Sequence, residues 1–589
     1  MLAALVLLGQ TAAAPPTPRA AVARALPALE RSAKSFVGQR SCVSCHHNIL
    51  PILTLRLAAS RGFAINTAAL ADVERKTFRE LTNARAFDDA VQGVGVGDPT
   101  PNDSWLLIAA QTAGLAPDLT NAIVAMRIAS WQHDGHWTTS DFRPPHSSSL
   151  FTSTATAIRA IRAYFPDERR ETRDRLLAGA RRWLMDTSPQ STEDATFRLL
   201  GLVWSDATRD EVAAATRDLS TRQRPGGGWP QLNGYPQDAY STGEALHALH
   251  EAGVPASDAA VRTGLAFLLR TQAADGTWRV RTRMISPAEV SPPYFTTGFP
   301  YKKDEYISYA ATSWATMALL TALPARAAAA PAAPVTAAVF PSSPLFRAAI
   351  VGGSTQFAQT AEIDVNATTA NGTSLLMAAA ADAGKLRFLL AKGADAKYRA
   401  PSGYDAITVA ASYRGNAASI DALLDAGADA EPPEGVKIKH SPLLFASMSG
   451  DLESVSLLLA HGASPNRRDS PLSEAITFDH AEVVHALVGA GAKVDLVERT
   501  GVNLLHWATI TNRADVIPEL AKAGVDINAV DEHGFTPLMY AATIDFGDTR
   551  TLAALLASGA DRTIKNDSGR TALQQARRLG HTQLANVLK

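Results

Sequence analysis

Cysteine is almost missing from this chain: there are two in 589 residues. Two thiols cannot build a disulfide framework, so whatever folds here must stand on apolar cores. Long apolar runs are missing as well. No stretch reaches the roughly 18–20 residues that a bilayer-spanning helix needs, so no membrane span is expected. Excess charge of one sign is missing too, with 56 Lys and Arg against 57 Asp and Glu and a net charge of −1. Without a basic tail or stripe, nothing points to a nucleic-acid partner. What is present is an ordinary globular balance, 46% hydrophobic and 19% charged. The length suggests two to four domains.

The two cysteines lie together in Ser41-Cys42-Val43-Ser44-Cys45-His46-His47. This is C-x-x-C-H, the attachment sequence of a c-type haem. Two thiols on one helical turn add to the haem vinyl groups, and the next residue, His46, is placed to ligate the iron. Covalent haem c on Cys42 and Cys45, with His46 as proximal ligand, is therefore expected. A C-x-x-C disulfide or dithiol and a chance match are the other readings of the same string. Zinc would need two further ligands, and no nearby Cys/His cluster supplies them. A haem iron also wants a sixth ligand. Met126, His133, His136 and His146 are the first candidates downstream; His47 is not, because its neighbour takes the proximal position.

Residues 1–14 (MLAALVLLGQTAAA) are a short apolar run followed by small residues, as in a secretory signal, although no Lys or Arg precedes the run. A c-type haem is attached outside the bacterial cytoplasm. Signal and motif thus agree on a periplasmic or secreted bacterial protein. Residues 15–47 form an N-terminal segment carrying the motif. They are too few for an independent cytochrome fold, so any haem must lean on the helical body C-terminal to them.

Residues 323–343 (LPARAAAAPAAPVTAAVFPSS) have no amphipathic period and read as a semi-rigid spacer, with the linker set at 323–341. Beyond it, a glycine closing a short helix recurs at Gly393, Gly427, Gly462, Gly491, Gly524 and Gly559, at spacings of 29 to 35 residues. New units open on strings such as Gly534-Phe535-Thr536-Pro537-Leu538 and Gly569-Arg570-Thr571-Ala572-Leu573. This pattern resembles the ankyrin repeat over 342–589, about eight units with degenerate ends as caps. The resemblance implies a helical solenoid that binds a protein partner through its β-turn tips and inner helices. A stack that only stabilises or spaces is the plainer reading.

Before the linker, apolar helical segments start near Asn48, Asn102, Ser149, Ser191, Gln237 and Ile307, each followed by a more charged amphipathic one. That alternation suggests an inner and an outer layer of about six helix pairs. Three strings, Gln132–Trp137, Gln223–Trp229 and Gln272–Trp278, follow outer helices and share a Gln, a Gly and a Trp at matching spacing. They are similar to the QW motif of squalene–hopene cyclases and related terpenoid cyclases. The resemblance covers about 48–322. It implies the α/α toroid shared by those cyclases and protein prenyltransferase β-subunits, with Gln and Trp stapling helices. The expected fold class is thus all-α, a toroid followed by an ankyrin-repeat solenoid.

The family chemistry does not carry over residue by residue. No D-x-D-D acid occurs, and the cysteines lie N-terminal to the toroid body, away from the zinc ligand set of the prenyltransferases. Polar residues at the inner-helix starts remain: Asp103, Glu193, Asp194, Asp238 and Tyr240. If they converge on one rim, they offer acid–base groups for a divergent cyclase-like or lipid-modifying enzyme, an isomerase or lyase, with an apolar or lipid ligand in the cavity. As N-caps they do no chemistry. The leading reading is an exported haem-binding and protein-interaction protein with a redox or scaffold role. The alternatives are that enzyme and a cofactor-free scaffold.

Overall fold

The computed structural model describes residues 16–40, 43–95, 98–146, 148–284, 296–326, 335, 343–359 and 363–589. The signal-like residues 1–14, Cys42 and most of the linker lie outside the described residues, and of Cys45 only the backbone is described.

The N-terminal body contains fourteen α-helices among the described residues. They are α1 (Pro18–Gln39), α2 (Leu50–Ser60), α3 (Thr67–Thr77), α4 (Arg79–Thr82), α5 (Ala86–Gln92), α6 (Ser104–Thr112) and α7 (Leu119–Ser130). Then come α8 (Leu150–Tyr164), α9 (Arg170–Asp186), α10 (Thr192–Trp204), α11 (Arg209–Thr221), α12 (Ala239–Glu251), α13 (Ala259–Thr271) and α14 (Glu305–Thr321). Six of them are apolar nearly all round: α2, α6, α8, α10, α12 and α14. Each packs on the next, and α14 returns to α2. The more charged α1, α3, α9, α11 and α13 lie outside them as one-sided amphipathic helices; α7 also flanks the inner set but is buried from Leu119 to Ala129.

The three Gln/Gly/Trp strings repeat one set of hydrogen bonds. Each indole N–H donates to a carbonyl near the end of the preceding outer helix: Trp137 to Ile128 (2.6 Å), Trp229 to Leu219 (2.8 Å) and Trp278 to Leu268 (3.0 Å). Each glutamine amide reaches the following outer helix, at Leu176 (2.9 Å), Ala260 (2.8 Å) and Ala21 (2.8 Å). The third of these ties α13 to α1, so the N-terminal helix is one of the outer set. A single helical turn, Cys45–Ile49, then leads from the motif into α2.

The C-terminal part stacks eight helix pairs among the described residues. Their first members run from Pro344–Val351 to Ala572–Leu579. The six recurrent glycines close second helices with φ between 88° and 96°, where a side chain would be strained.

The stack does not hang free. The tips and the ends of its first helices lie against the N-terminal body along much of its length. Trp131 Nε1 donates to the Ser412 carbonyl (3.0 Å), Arg513 Nη2 to the Thr139 carbonyl (2.6 Å), and Tyr235 Oη to Asp545 Oδ2 (2.8 Å). Trp131 packs on Phe478 and Phe142 on Trp507, with centroids 5.6 and 5.7 Å apart. Buried apolar residues of both parts form one continuous cluster, from Ala21 to Leu588.

Candidate functional site

Inner-helix starts, the C-x-x-C-H turn and the loop before α8 meet in one buried region. His46 is 5% exposed and His47 2%. Ser44 Oγ lies 3.3 Å from His46 Nδ1. The His47 ring is sandwiched between Phe36 and Tyr309, with centroids 5.1 and 5.0 Å away. Burial lowers the pKa of both rings, that of His47 to about 3, so both are neutral. The 4.0 Å approach of His47 to Glu305 is therefore not an ion pair.

Of the four downstream ligand candidates, the structure brings His146 to the motif. Its ring lies edge-on to that of His46, with centroids 5.7 Å apart and planes at 90°. Met126 is buried in α7. His133 and His136 close a small turn on each other, His133 half exposed and His136 stacked on Trp183. No hydrogen bond or ring contact joins these three to His46 among the described residues.

His146 is held by a line of hydrogen bonds. Its Nδ1 is 2.9 Å from Tyr240 Oη, and Tyr240 Oη donates to Glu193 Oε2 at 2.9 Å. Thr152 Oγ1 donates to Glu193 Oε1 at 2.7 Å. Tyr240 has one proton and gives it to Glu193, so His146 must supply the proton between itself and Tyr240 from Nδ1. The network thereby assigns the lone pair to His146 Nε2. That atom is buried and has no hydrogen-bond partner.

Glu244, one turn beyond Tyr240 on α12, belongs to no motif in the sequence. It is fully buried, and neither of its oxygens has a hydrogen-bond partner. Burial, then the nearby Glu193 carboxylate, push its pKa well up. Burial raises the Glu193 pKa too, but His146, Glu244 and the Thr152 and Tyr240 hydroxyls offset it; the rise is greater at Glu244, so the proton of the pair belongs there. The one sequence signal for it is the four-residue spacing from Tyr240, which puts both on one helix face.

The remaining carboxylates do not join this cluster. Asp194 and Asp238 are helix caps: Asp194 accepts from the Gln190 and Ser191 N–H groups, and Asp238 from the Ser241 N–H. Asp103 lines a separate cleft of about 510 Å³ with Glu80 and Arg127, where burial raises its pKa to about 7. Thus Glu193 and Tyr240 are together, while Asp103 stands apart.

Trp105, Phe197 and Trp314 sit on α6, α10 and α14. Their ring centroids lie 6.2 to 6.5 Å apart in all three pairings. Alternate members of a closed set of six can touch only across its axis, so these rings fill the axis at their level.

Among the described residues, no group of three or more His, Cys, Asp or Glu side chains is placed to hold a metal ion. A haem asks less of the protein, two axial donors and the thiols. Two buried neutral imidazoles side by side, one with an unpartnered nitrogen, fit that demand.

Comparison with known proteins defines the C-terminal part. A family model described as ankyrin repeats (3 copies) matches residues 376–469 and 472–561. The chain is 30% identical over 138 residues to human SH3 and multiple ankyrin repeat domains protein 2, covering 22% of this chain and 7% of that one. It is 28% identical over 218 residues to ankyrin repeat protein nuc-2 of Neurospora crassa, covering 34% and 19%. A solved human ASB11 ankyrin repeat domain aligns over 42% of this chain and 98% of its own, at 23% identity and a TM-score of 0.31. The chain therefore carries an ankyrin-repeat stack, a protein–protein interaction module. It spans less than a fifth of either of the two curated relatives.

Proposed function

We propose that this chain is an exported c-type haem protein in which a QW-stapled α/α toroid holds the haem between His46 and His146. The proposed role is one-electron redox chemistry within a protein assembly. The observation that carries it is the meeting of His46 with His146, one hundred residues apart, at 5.7 Å. The motif predicts the first ligand, and the second arrives with its Nε2 lone pair uncommitted. Haem bound through two imidazoles exchanges one electron without opening a site for oxygen or substrate. The chain's own part is to bury both rings, keep them neutral and tie Cys42 and Cys45 to the start of α2. The closed succession of six inner helices, with its repeated Gln and Trp staples, supports the toroid.

The enzyme alternative has less behind it. The D-x-D-D acid is absent, the aromatic trio occupies the axis where a cyclase would hold an apolar or lipid ligand, and Glu193 is committed to Thr152 and Tyr240.

For the partner, the inner face of the ankyrin stack is covered by the chain's own N-terminal body. Several β-turn tips are covered as well, Thr369 and Asn371 on Asp88 among them, but two neighbouring tips stay open. Leu496, Val497 and Val530 are 43%, 62% and 49% exposed on neighbouring tips, and a protein partner is proposed to dock there.

The test is expression in a host with cytochrome c maturation. Denatured wild-type protein should keep a Soret band and gain one haem mass. Cys42→Ala should weaken attachment, and His146→Ala should turn a low-spin spectrum high-spin. A clean haem-free mass from a maturation-competent periplasm overturns the proposal.

A further inference from the structure

Resting on the haem reading, the geometry points to Tyr240 and Glu193 as positioning residues. They hold His146 in the form that ligates through Nε2, and they give its ring anionic character. A neutral imidazole has one N–H, and which nitrogen carries it is set by what the other meets. Here Nδ1 meets Tyr240 Oη at 2.9 Å, and Nε2 meets no hydrogen-bond partner. The tyrosine proton is directed to Glu193 Oε2 at 2.9 Å. The glutamate cannot turn away, because Thr152 holds its other oxygen at 2.7 Å. His146, Tyr240 and Glu193 are each no more than 2% exposed, so water does not compete for these bonds. The three side chains come from the loop before α8 and from α12 and α10, and Thr152 from α8. One line of hydrogen bonds thus joins three inner helices to the ligand loop.

A metal-bound histidine whose second nitrogen donates toward a carboxylate is a stronger donor, and losing such a partner typically costs 10- to 100-fold in affinity or activity. Stronger donation favours the ferric state. Removing Tyr240 or the Glu193 charge should therefore raise the midpoint potential.

Two measurements on the full chain test this. In haem-free protein from a host without maturation, a histidine-selective ¹⁵N spectrum should show His146 protonated on Nδ1. In Tyr240→Phe, the Nε2-protonated form should appear. In haem-loaded protein, Tyr240→Phe and Glu193→Gln should raise the ferrous-to-ferric ratio at fixed potential about tenfold, or about 59 mV for one electron. Asp103→Asn changes a buried carboxyl in the separate cleft, outside this line of hydrogen bonds, and should leave the potential unchanged. Glu193→Gln is close to isosteric and serves if Tyr240→Phe fails to fold. An Nε2 proton on wild-type His146, or wild-type potentials in both variants, overturns the inference. So does an equal shift in Asp103→Asn, which would mean that any change of a buried carboxyl suffices. If His146→Ala instead keeps a low-spin spectrum, the ligand assignment fails and this inference with it, whereas an Nδ1 proton with unmoved potentials sinks the inference alone.

Discussion

Gly276 offers a sharp test of how the N-terminal helix is held. Its φ is +87°, and a Cβ built there would overlap the Arg24 carbonyl oxygen of α1. Gly234 has almost the same backbone, φ +89°, but nothing lies within 4 Å of the corresponding Cβ. Substituting either by alanine costs the strain of a left-handed side-chain residue, about 1–2 kcal/mol. Gly276→Ala adds an overpacking cost of about 1–3 kcal/mol, since α1 must move away from the loop. The pair of variants isolates that second cost. The chain has more than one structural unit, so a single melting curve is a poor readout, and hydrogen exchange resolved by peptide is better. Gly276→Ala should lower amide protection in α1 by roughly 5- to 150-fold more than Gly234→Ala does. Because Phe36 of α1 stacks on His47, haem incorporation should fall in the same variant. Equal protection of α1 in the two variants would refute the packing argument.

Burial and the interface between the two parts each give a further expected outcome. Asp103 has its pKa raised from 3.8 to about 7, chiefly by burial. Below pH 3.8 the carboxyl is protonated whether folded or unfolded; as pH rises toward 7 the unfolded state alone ionises, so stability falls across that window and levels off above it. Asp103→Asn should remove this component, seen by peptide-resolved hydrogen exchange as a flatter pH dependence of α6 stability between about pH 4 and 7; a steeper dependence would contradict the assignment. Second, residues 16–326 and 343–589 expressed as separate chains should copurify, and Arg513→Ala, which leaves the Thr139 carbonyl without its 2.6 Å donor, should weaken the pair; two chains that elute apart at micromolar concentration would show that the linker alone keeps the halves together.

Much of the helical order is legible in the sequence. The six apolar segments read near Asn48, Asn102, Ser149, Ser191, Gln237 and Ile307 correspond to α2, α6, α8, α10, α12 and α14, each beginning within two residues of the expected start. They are visible because a helix buried on all sides is apolar nearly all round, while its outer neighbour keeps a charged face. The repeat glycines are legible because a left-handed helix end at a fixed period has few other causes. The site is legible in part. His46 comes from a motif. His146 could be named only within a set of four, because loop path is not encoded in periodicity, and two of the other three share its loop region. Glu244 carries no motif and becomes visible only when α10 and α12 are side by side. The covered inner face of the ankyrin stack has no sequence signature at all. A surface that packs on a partner and one that packs on its own chain have the same composition.

That covered face bears on the site more directly than the spacer suggests. The Ala/Pro tract marks a change of periodicity, and from sequence it separates the chain into two modules. Packing joins them again at the loop that carries His146. Seven residues before His146, the Thr139 carbonyl accepts from Arg513 at 2.6 Å; four residues before it, Phe142 lies edge-on to Trp507. Arg513 and Trp507 belong to the ankyrin stack. A loop pinned at two points by buried contacts has few conformations left, so the ordering of His146 beside His46 is carried in part by the repeats. The linker then acts by concentration: tethering turns docking of the stack into an intramolecular step, with an effective concentration near the millimolar range for a short connection. The ankyrin part is in this sense a structural component of the proposed haem site, and its exposed tips at Leu496, Val497 and Val530 stand on the same repeats that hold the ligand loop. A partner docking on those tips would act on the repeats that position His146, which gives partner binding a physical route to the proposed haem site.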